Sequence, residues 1–258
     1  MFKPAATAGE AKLDNGERAN GAFVIGGHGS MIDDNDPIIG NQADSRPEVL
    51  YVHGLFMTGR DGWLFCRRLR HRGLICERFL YASRGEAPPV VAARLSKRLA
   101  ANPELNLVGH SLGGVIAALA IAGTTDWRGR AVLLGPPLSG SDTARQAARL
   151  PGGEWLLGEG GRYLAGSVER TTGSRSVLII AGTRNFGIGR LIGACAGPGD
   201  GQVRVLETRL PGATHARRHR GHVALLLDRR VAGLSADFLG SNRFPGDPAG
   251  VDRDSEFP

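Results

Sequence analysis

Leu105-Asn106-Leu107-Val108 runs directly into Gly109-His110-Ser111-Leu112-Gly113-Gly114, and the apolar stretch Val115-Ile116-Ala117-Ala118-Leu119-Ala120-Ile121 follows at once. The first run has the length and composition of a buried strand, and the last has those of a buried helix. The residues between them must therefore turn the chain from strand to helix within very few positions. Such a turn holds its central serine in a strained backbone conformation and pushes the hydroxyl out above the sheet. A side chain at 109 or 113 would collide with the neighbouring strand or helix, so both positions call for Gly109 and Gly113.

The Gly-x-Ser-x-Gly pattern is weak by itself. With 39 Gly and 13 Ser in 258 residues, composition alone supplies about 0.3 such matches. Context raises its value, because strand and helix fall on the required sides. An N-capping serine in an ordinary strand-to-helix turn is the bland alternative.

The rest of the chain repeats the alternation. Strands are expected at Val49–His53, Ile75–Tyr81, Leu105–Val108, Ala131–Leu134, Ser176–Ala181 and Val203–Thr208. Helices are expected over Trp63–Arg72, with Trp63, Leu64 and Leu69 inward, and over Val90–Ala101, Thr143–Arg149 and Val223–Leu239. Short β-rich runs separated by helices imply an α/β fold, a mostly parallel sheet of about six strands covered by helices on both faces. Ligands of such sheets bind at the carboxyl ends of the strands. Residues 47–240 carry this pattern. Residues 1–46, polar apart from Ala22-Phe23-Val24-Ile25, read as a poorly ordered extension, and 241–258 as a Pro/Gly/Asp-rich tail. The segment 138–175 interrupts the alternation and reads as a small helical cap, one wall of a pocket, or plain helical packing.

A chain of 258 residues that is 41% hydrophobic is ample for one sizeable core. The net charge of +7 comes chiefly from scattered arginines without interleaved aromatics, so solvated faces explain it better than nucleic acid does. No apolar run reaches 18 residues, which excludes an integral membrane helix, and residues 1–21 lack a signal-peptide core. The expectation is a cytoplasmic protein with reduced thiols. Cys66, Cys76 and Cys195 share no metal-like spacing, and Cys66 reads as a buried small hydrophobe. No His/Cys/Asp cluster suggests a metal, and Gly26-Gly27-His28-Gly29 and the Gly-rich run 182–201 fit neither a dinucleotide fingerprint nor a P-loop.

A serine nucleophile needs a base, a group to orient the base, and backbone donors for an oxyanion. Downstream of Ser111 the histidines are His215, His219 and His222. His222 stands just before the last apolar helix, where a loop returns over the sheet edge; His219 is second choice, and His215 and His219 read as solvated loop residues. Asp200, in Gly197-Pro198-Gly199-Asp200-Gly201, is the acid candidate, with an Asx-type turn as its ordinary alternative. Asp142 looks like a cap or first-turn residue, and Asp228 like a solvated helix face. The oxyanion donors would be the N–H groups of Leu112 and of Leu55, the latter in the loop His53-Gly54-Leu55-Phe56-Met57, which His53 braces.

The His-Gly-Leu loop at 53–55, the Gly-His-Ser-Leu-Gly-Gly turn at 109–114, Ala181-Gly182-Thr183-Arg184, Gly199-Asp200-Gly201 and Gly221-His222 together resemble the α/β-hydrolase superfamily, in particular small bacterial esterases and lipases. The resemblance runs from about Pro47 to Leu239. It implies Ser111 as nucleophile, Asp200 as acid, His222 as base, Leu55 and Leu112 as oxyanion donors, and no cofactor or metal. Arg220-Gly221-His222-Val223-Ala224 departs from the family pattern, which has a small polar residue before the histidine and a Gly-containing segment after it. The implied activity is hydrolysis of a small-molecule carboxylic ester with a short-to-medium apolar acyl chain. A thioesterase or acyltransferase with the same three residues is an alternative, as is a non-catalytic binding protein of this fold.

Overall fold

The computed structural model describes residues 46, 48–166, 176–194 and 196–240. The expected extension with its Ala22-Phe23-Val24-Ile25 patch, the tail, the end of the 138–175 segment and Cys195 lie outside the described residues.

Six strands form one parallel sheet in the order β2-β1-β3-β4-β5-β6. They are β1 (Glu48–Val52), β2 (Ile75–Phe79), β3 (Asn106–His110), β4 (Ala131–Leu134), β5 (Val177–Gly182) and β6 (Thr214–Arg218). The helices are α1 (Trp63–Arg70), α2 (Pro88–Ala101), α3 (Leu112–Ala122), α4 (Asp142–Ala148), α5 (Gly153–Ala165), α6 (Ile188–Leu191), α7 (Ala224–Leu227) and α8 (Arg229–Gly240).

Two apolar clusters cover the two faces. Leu50, Val52, Leu107, Leu133 and Ile179 pack against α2 and α3, while Val49, Tyr51, Val108, Leu134 and Ile180 pack against α1, α7 and α8. Alternate side chains of one strand thus feed opposite cores, and β3, β4 and β5 are buried throughout. α2 opens on Pro88-Pro89, where the missing N–H costs nothing, and buries Val91, Ala92, Leu95 and Leu99 along one stripe. α3 buries nearly all its residues, as its apolar run foretells.

Three expectations need correction. Val203–Thr208 is not the sixth strand: Val205–Thr208 forms a 3-10 turn. The strand is Thr214–Arg218, an edge strand hydrogen-bonded on one side only, with Ala216 as its one fully buried residue. His215 is therefore part of β6, not of a loop, and its Nε2 donates to the Leu210 carbonyl at 3.3 Å. The final helix is broken at Asp228, whose Oδ1 accepts the N–H groups of Arg230 and Val231, so this residue caps α8 and pairs with Arg220 rather than facing solvent from a helix. Trp63 points outward at 52% exposure, with the Arg67 guanidinium 5.4 Å from its ring; Phe65, Cys66 and Leu69 form the buried stripe of α1.

Candidate active site

Ser111 links β3 to α3 at φ 55° and ψ −121°, one of two non-glycine residues with positive φ among those described. The turn is fixed from both sides: Ser111 N–H donates to Leu134 O at 2.9 Å, and Ser111 O accepts Gly114 N–H at 2.9 Å. A Cβ on Gly109 would lie 2.6 Å from Gly114 Cα, and one on Gly113 would lie 2.1 Å from Val52 O. Both clashes are with backbone, so neither can be relieved by rotating a side chain.

Asp200 and His222 meet behind the carboxyl ends of β4 and β5. His222 Nδ1 lies 2.7 Å from Asp200 Oδ2, and His222 N–H also donates to Asp200 O at 3.0 Å. The other carboxylate oxygen, Oδ1, accepts the N–H groups of Gln202 at 3.0 Å and Val203 at 2.8 Å. Asp200 is thus at once an Asx-type turn residue and the partner of an imidazole. With Nδ1–H donating to the carboxylate, His222 is left with a lone pair on Nε2.

Gly135, which the sequence reading did not single out, and Gly182, which it noted only as part of the 181–184 resemblance, make room for this pair. Gly135, at φ +55° directly after β4, would bring a Cβ to 2.9 Å from Asp200 Oδ2 and 3.2 Å from His222 Nδ1. Gly182, at the end of β5, would bring one to 2.6 Å from Asp200 Cβ. Their signal was visible only as a glycine closing each of two predicted strands.

The loop after β1 lies against Ser111: a Cβ on Gly54 would be 3.2 Å from Ser111 Cβ. Met57 N–H returns to Gly54 O at 3.3 Å, and Phe56, at φ 62°, takes the positive-φ place of the turn. Among the described residues, neither the Leu55 nor the Leu112 N–H has a protein acceptor; the Leu112 N–H is one of the free donors at the start of α3. His53 braces this loop as expected. Its Nδ1 donates to Gly54 O at 3.0 Å, its ring stacks on Tyr81 at 4.2 Å, and Tyr81 Oη donates to His53 O at 2.7 Å.

A third histidine supports His222. His110 is fully buried, its Nε2 donates to the His222 carbonyl at 3.2 Å, and the two rings lie 4.8 Å apart. Burial, with the neighbouring His222 second, pushes its pKa down to about 3, so it stays neutral at working pH. Burial lowers the His53 pKa too. An unfolded chain binds a proton at His110 below about pH 6.5, whereas the folded chain does so only near 3. His110 therefore costs no stability to acid above pH 6.5, and stability falls as pH drops from there toward 3. The unfolding free energy from urea melts is expected to decline over this window by up to about 1.4 kcal/mol per pH unit from this one group. His110→Asn should flatten the decline; equal slopes in both proteins would contradict the assignment.

Ser111, His110, His222 and Leu55 line one cavity of about 500 Å³, within the range of small-molecule sites. Phe56, Met57, Ala144, Ala147, Leu157, Leu164 and Ile188 give it apolar walls, and among the described residues no Asp, Glu, Lys or Arg lines it. α4 and α5, from the segment between β4 and β5, contribute one wall. The remaining candidates lie elsewhere: His219 is exposed, and Asp142 sits in the first turn of α4, paired with Arg145 and Arg204. No group of three His, Cys, Asp or Glu among the described residues could hold a metal ion, and no described helix is long and apolar enough to cross a membrane.

Neither protein-family models nor curated proteins give a match to this sequence. Solved structures do. A Bacillus licheniformis lipase in its propeptide form is similar with a TM-score of 0.62 and 18% identity, over 84% of this chain and 55% of that one. The chain thus spans little more than half of that protein's length. The mature form of the same lipase gives 0.57 and 18%, over 80% of this chain and 96% of the other. An α/β hydrolase fold protein from Nakamurella multipartita gives 0.50 and 17%, over 75% and 92%. At such identities the likeness is one of fold, and it agrees with the parallel six-stranded sheet and the serine-bearing turn that follows β3. The chain has the α/β-hydrolase fold.

Proposed function

We propose that the protein is a serine hydrolase that cleaves carboxylic esters of apolar acyl groups through an acyl-Ser111 intermediate. One observation carries the reading: a positive-φ serine at the β3–α3 turn shares an apolar cavity with a histidine whose Nδ1 is held by a buried aspartate.

The chemistry follows from the tautomer. His222 Nε2 takes the Ser111 hydroxyl proton as Oγ attacks the ester carbonyl, and Asp200 stabilises the imidazolium that forms. The oxyanion is held by the N–H groups of Leu55 and Leu112, which have no acceptor to surrender among the described residues. Collapse of the tetrahedral intermediate passes the proton from His222 to the leaving alcohol. A water molecule, deprotonated by the same nitrogen, then attacks acyl-Ser111, and the tetrahedral intermediate collapses as His222 returns the proton to Ser111 Oγ, releasing the carboxylic acid. The walls formed by the described residues suit a neutral acyl chain and disfavour an anionic one, because among those residues a buried carboxylate or phosphate would find no cation.

A fluorophosphonate probe and a p-nitrophenyl ester series test this. The folded protein is expected to label at Ser111, with kcat/KM rising from the acetate ester to a medium-chain optimum. Failure of the folded chain to label would remove the proposal; labelling with a preference for charged acyl groups would remove the substrate class.

A further inference from the structure

Glu207 is a carboxylate that the mechanism does not use, yet it is buried at 3% exposure within the 3-10 turn at 205–208. Its Oε1 accepts the N–H of Asp142, the first residue of α4, at 2.8 Å. Its Oε2 accepts the N–H of Arg204 at 2.8 Å, and its main-chain oxygen accepts Ser139 N–H at 3.1 Å. Two guanidinium groups approach Oε1, Arg204 at 3.5 Å and Arg145 at 4.0 Å, and both also pair with Asp142. A second tie runs alongside, from Thr143 Oγ1 to Gln202 O.

These contacts join two parts of the site. On one side is α4, whose Ala144 and Ala147 line the cavity. On the other is the 200–204 loop, in which Gln202 and Val203 hold Asp200 Oδ1 and Val203 O accepts Asp200 N–H at 3.0 Å. A buried charge network is a poor way to gain stability alone, since apolar residues of the same volume do as well or better. What it supplies is geometry, because Oε1 and Oε2 each hold a different main-chain N–H, of Asp142 and of Arg204. Burial raises the Glu207 carboxyl pKa against the opposing pull of its N–H donors and Arg204, as expected where the ion is retained for its contacts.

We propose that Glu207 is a positioning residue that locks α4 to the Asp200 loop and so sets the depth of the apolar wall for longer acyl chains. The activity half rests on the ester-hydrolase reading; the structural half does not. In Glu207→Gln one carboxylate oxygen becomes an NH₂ that must face an N–H, so one of the two joints opens. Glu207→Asp keeps the charge but cannot span both donors, and it carries the test should the glutamine variant fail to fold.

Hydrogen–deuterium exchange of the full chain reads the joint directly. Amides of 142–148 and 200–204 are expected to exchange about 10-fold faster in either variant, with 106–122 unchanged. In the ester series, KM for the octanoate ester should rise about 10-fold while the acetate ester changes less than about 3-fold in kcat/KM. Unchanged exchange in α4 would overturn the proposal whatever the enzymology. Faster exchange with equal losses for both esters would reduce Glu207 to a structural residue. A wild-type chain that cleaves no ester would instead fail the ester-hydrolase reading, while exchange still decided whether Glu207 locks α4.

Discussion

Ser111→Ala is expected to lower kcat for a p-nitrophenyl ester by roughly 10⁴- to 10⁶-fold and to abolish fluorophosphonate labelling, because the only atom removed is the one that attacks. The fold should not register the change. Alanine occupies φ 55°, ψ −121° at a backbone cost similar to that of serine, and among the described residues the Ser111 hydroxyl has no hydrogen bond to lose. The melting temperature is therefore expected to stay within about 2 °C of wild type. Ser111→Gly separates the two costs that meet here. Glycine tolerates the positive φ, so that variant should gain about 1 kcal/mol of stability while being equally inactive. Urea melts of the three proteins with a parallel activity assay test both statements. Residual labelling of Ser111→Ala would move the nucleophile elsewhere, and a glycine variant no more stable than the alanine one would remove the claim of stored strain.

His222→Ala is expected to cost about as much as loss of the serine, and Asp200→Asn about 10⁴-fold in kcat. The asparagine result can be argued atom by atom. Oδ1 of Asp200 faces two N–H donors, from Gln202 and Val203. An asparagine must keep its oxygen there, since its NH₂ would oppose both. The NH₂ is thereby turned toward His222 Nδ1, which then has to accept, and the ring proton moves to Nε2. The nitrogen that should take the serine proton would already carry one. KM should change little, because Asp200 does not line the cavity. His219→Ala, at an exposed position, is expected to remain within about 2-fold of wild type. Loss of turnover in His219→Ala with retention in His222→Ala would reassign the base.

The parts of the fold legible in the sequence are those where one physical demand dominates. The central strands β4 and β5, buried on both faces, show as unbroken apolar runs, and the turn at Ser111 shows as two glycines because backbone sits where their side chains would be. At the sheet edge the demands mix. Val203–Thr208 has the composition of a strand, yet the N–H groups of Val203 and Arg204 are taken by the side chains of Asp200 and Glu207, leaving no ladder to join. The real edge strand, Thr214-His-Ala-Arg-Arg, buries little and carries no apolar signal. Trp63 was placed inward on hydrophobicity alone, whereas its ring lies exposed beneath Arg67. For the site, Asp200 and His222 were legible from chain order and from glycine-flanked loops. Glu207 was not, because its partners lie on α4, far away in sequence, and a lone acid on a polar segment looks solvated.

The strand order has a consequence for when the site comes into being. The serine turn is held once β3 lies between β1 and β4, since Val52 O of β1 packs on Gly113 and Leu134 O of β4 accepts the Ser111 N–H. Asp200 and His222 sit in the loops that follow β5 and the edge strand β6, the last strand of the sheet in sequence. On the proposed reading, a chain in which β6 has not yet docked presents Ser111 without the His222 loop in place, so an esterase assay would report completed folding.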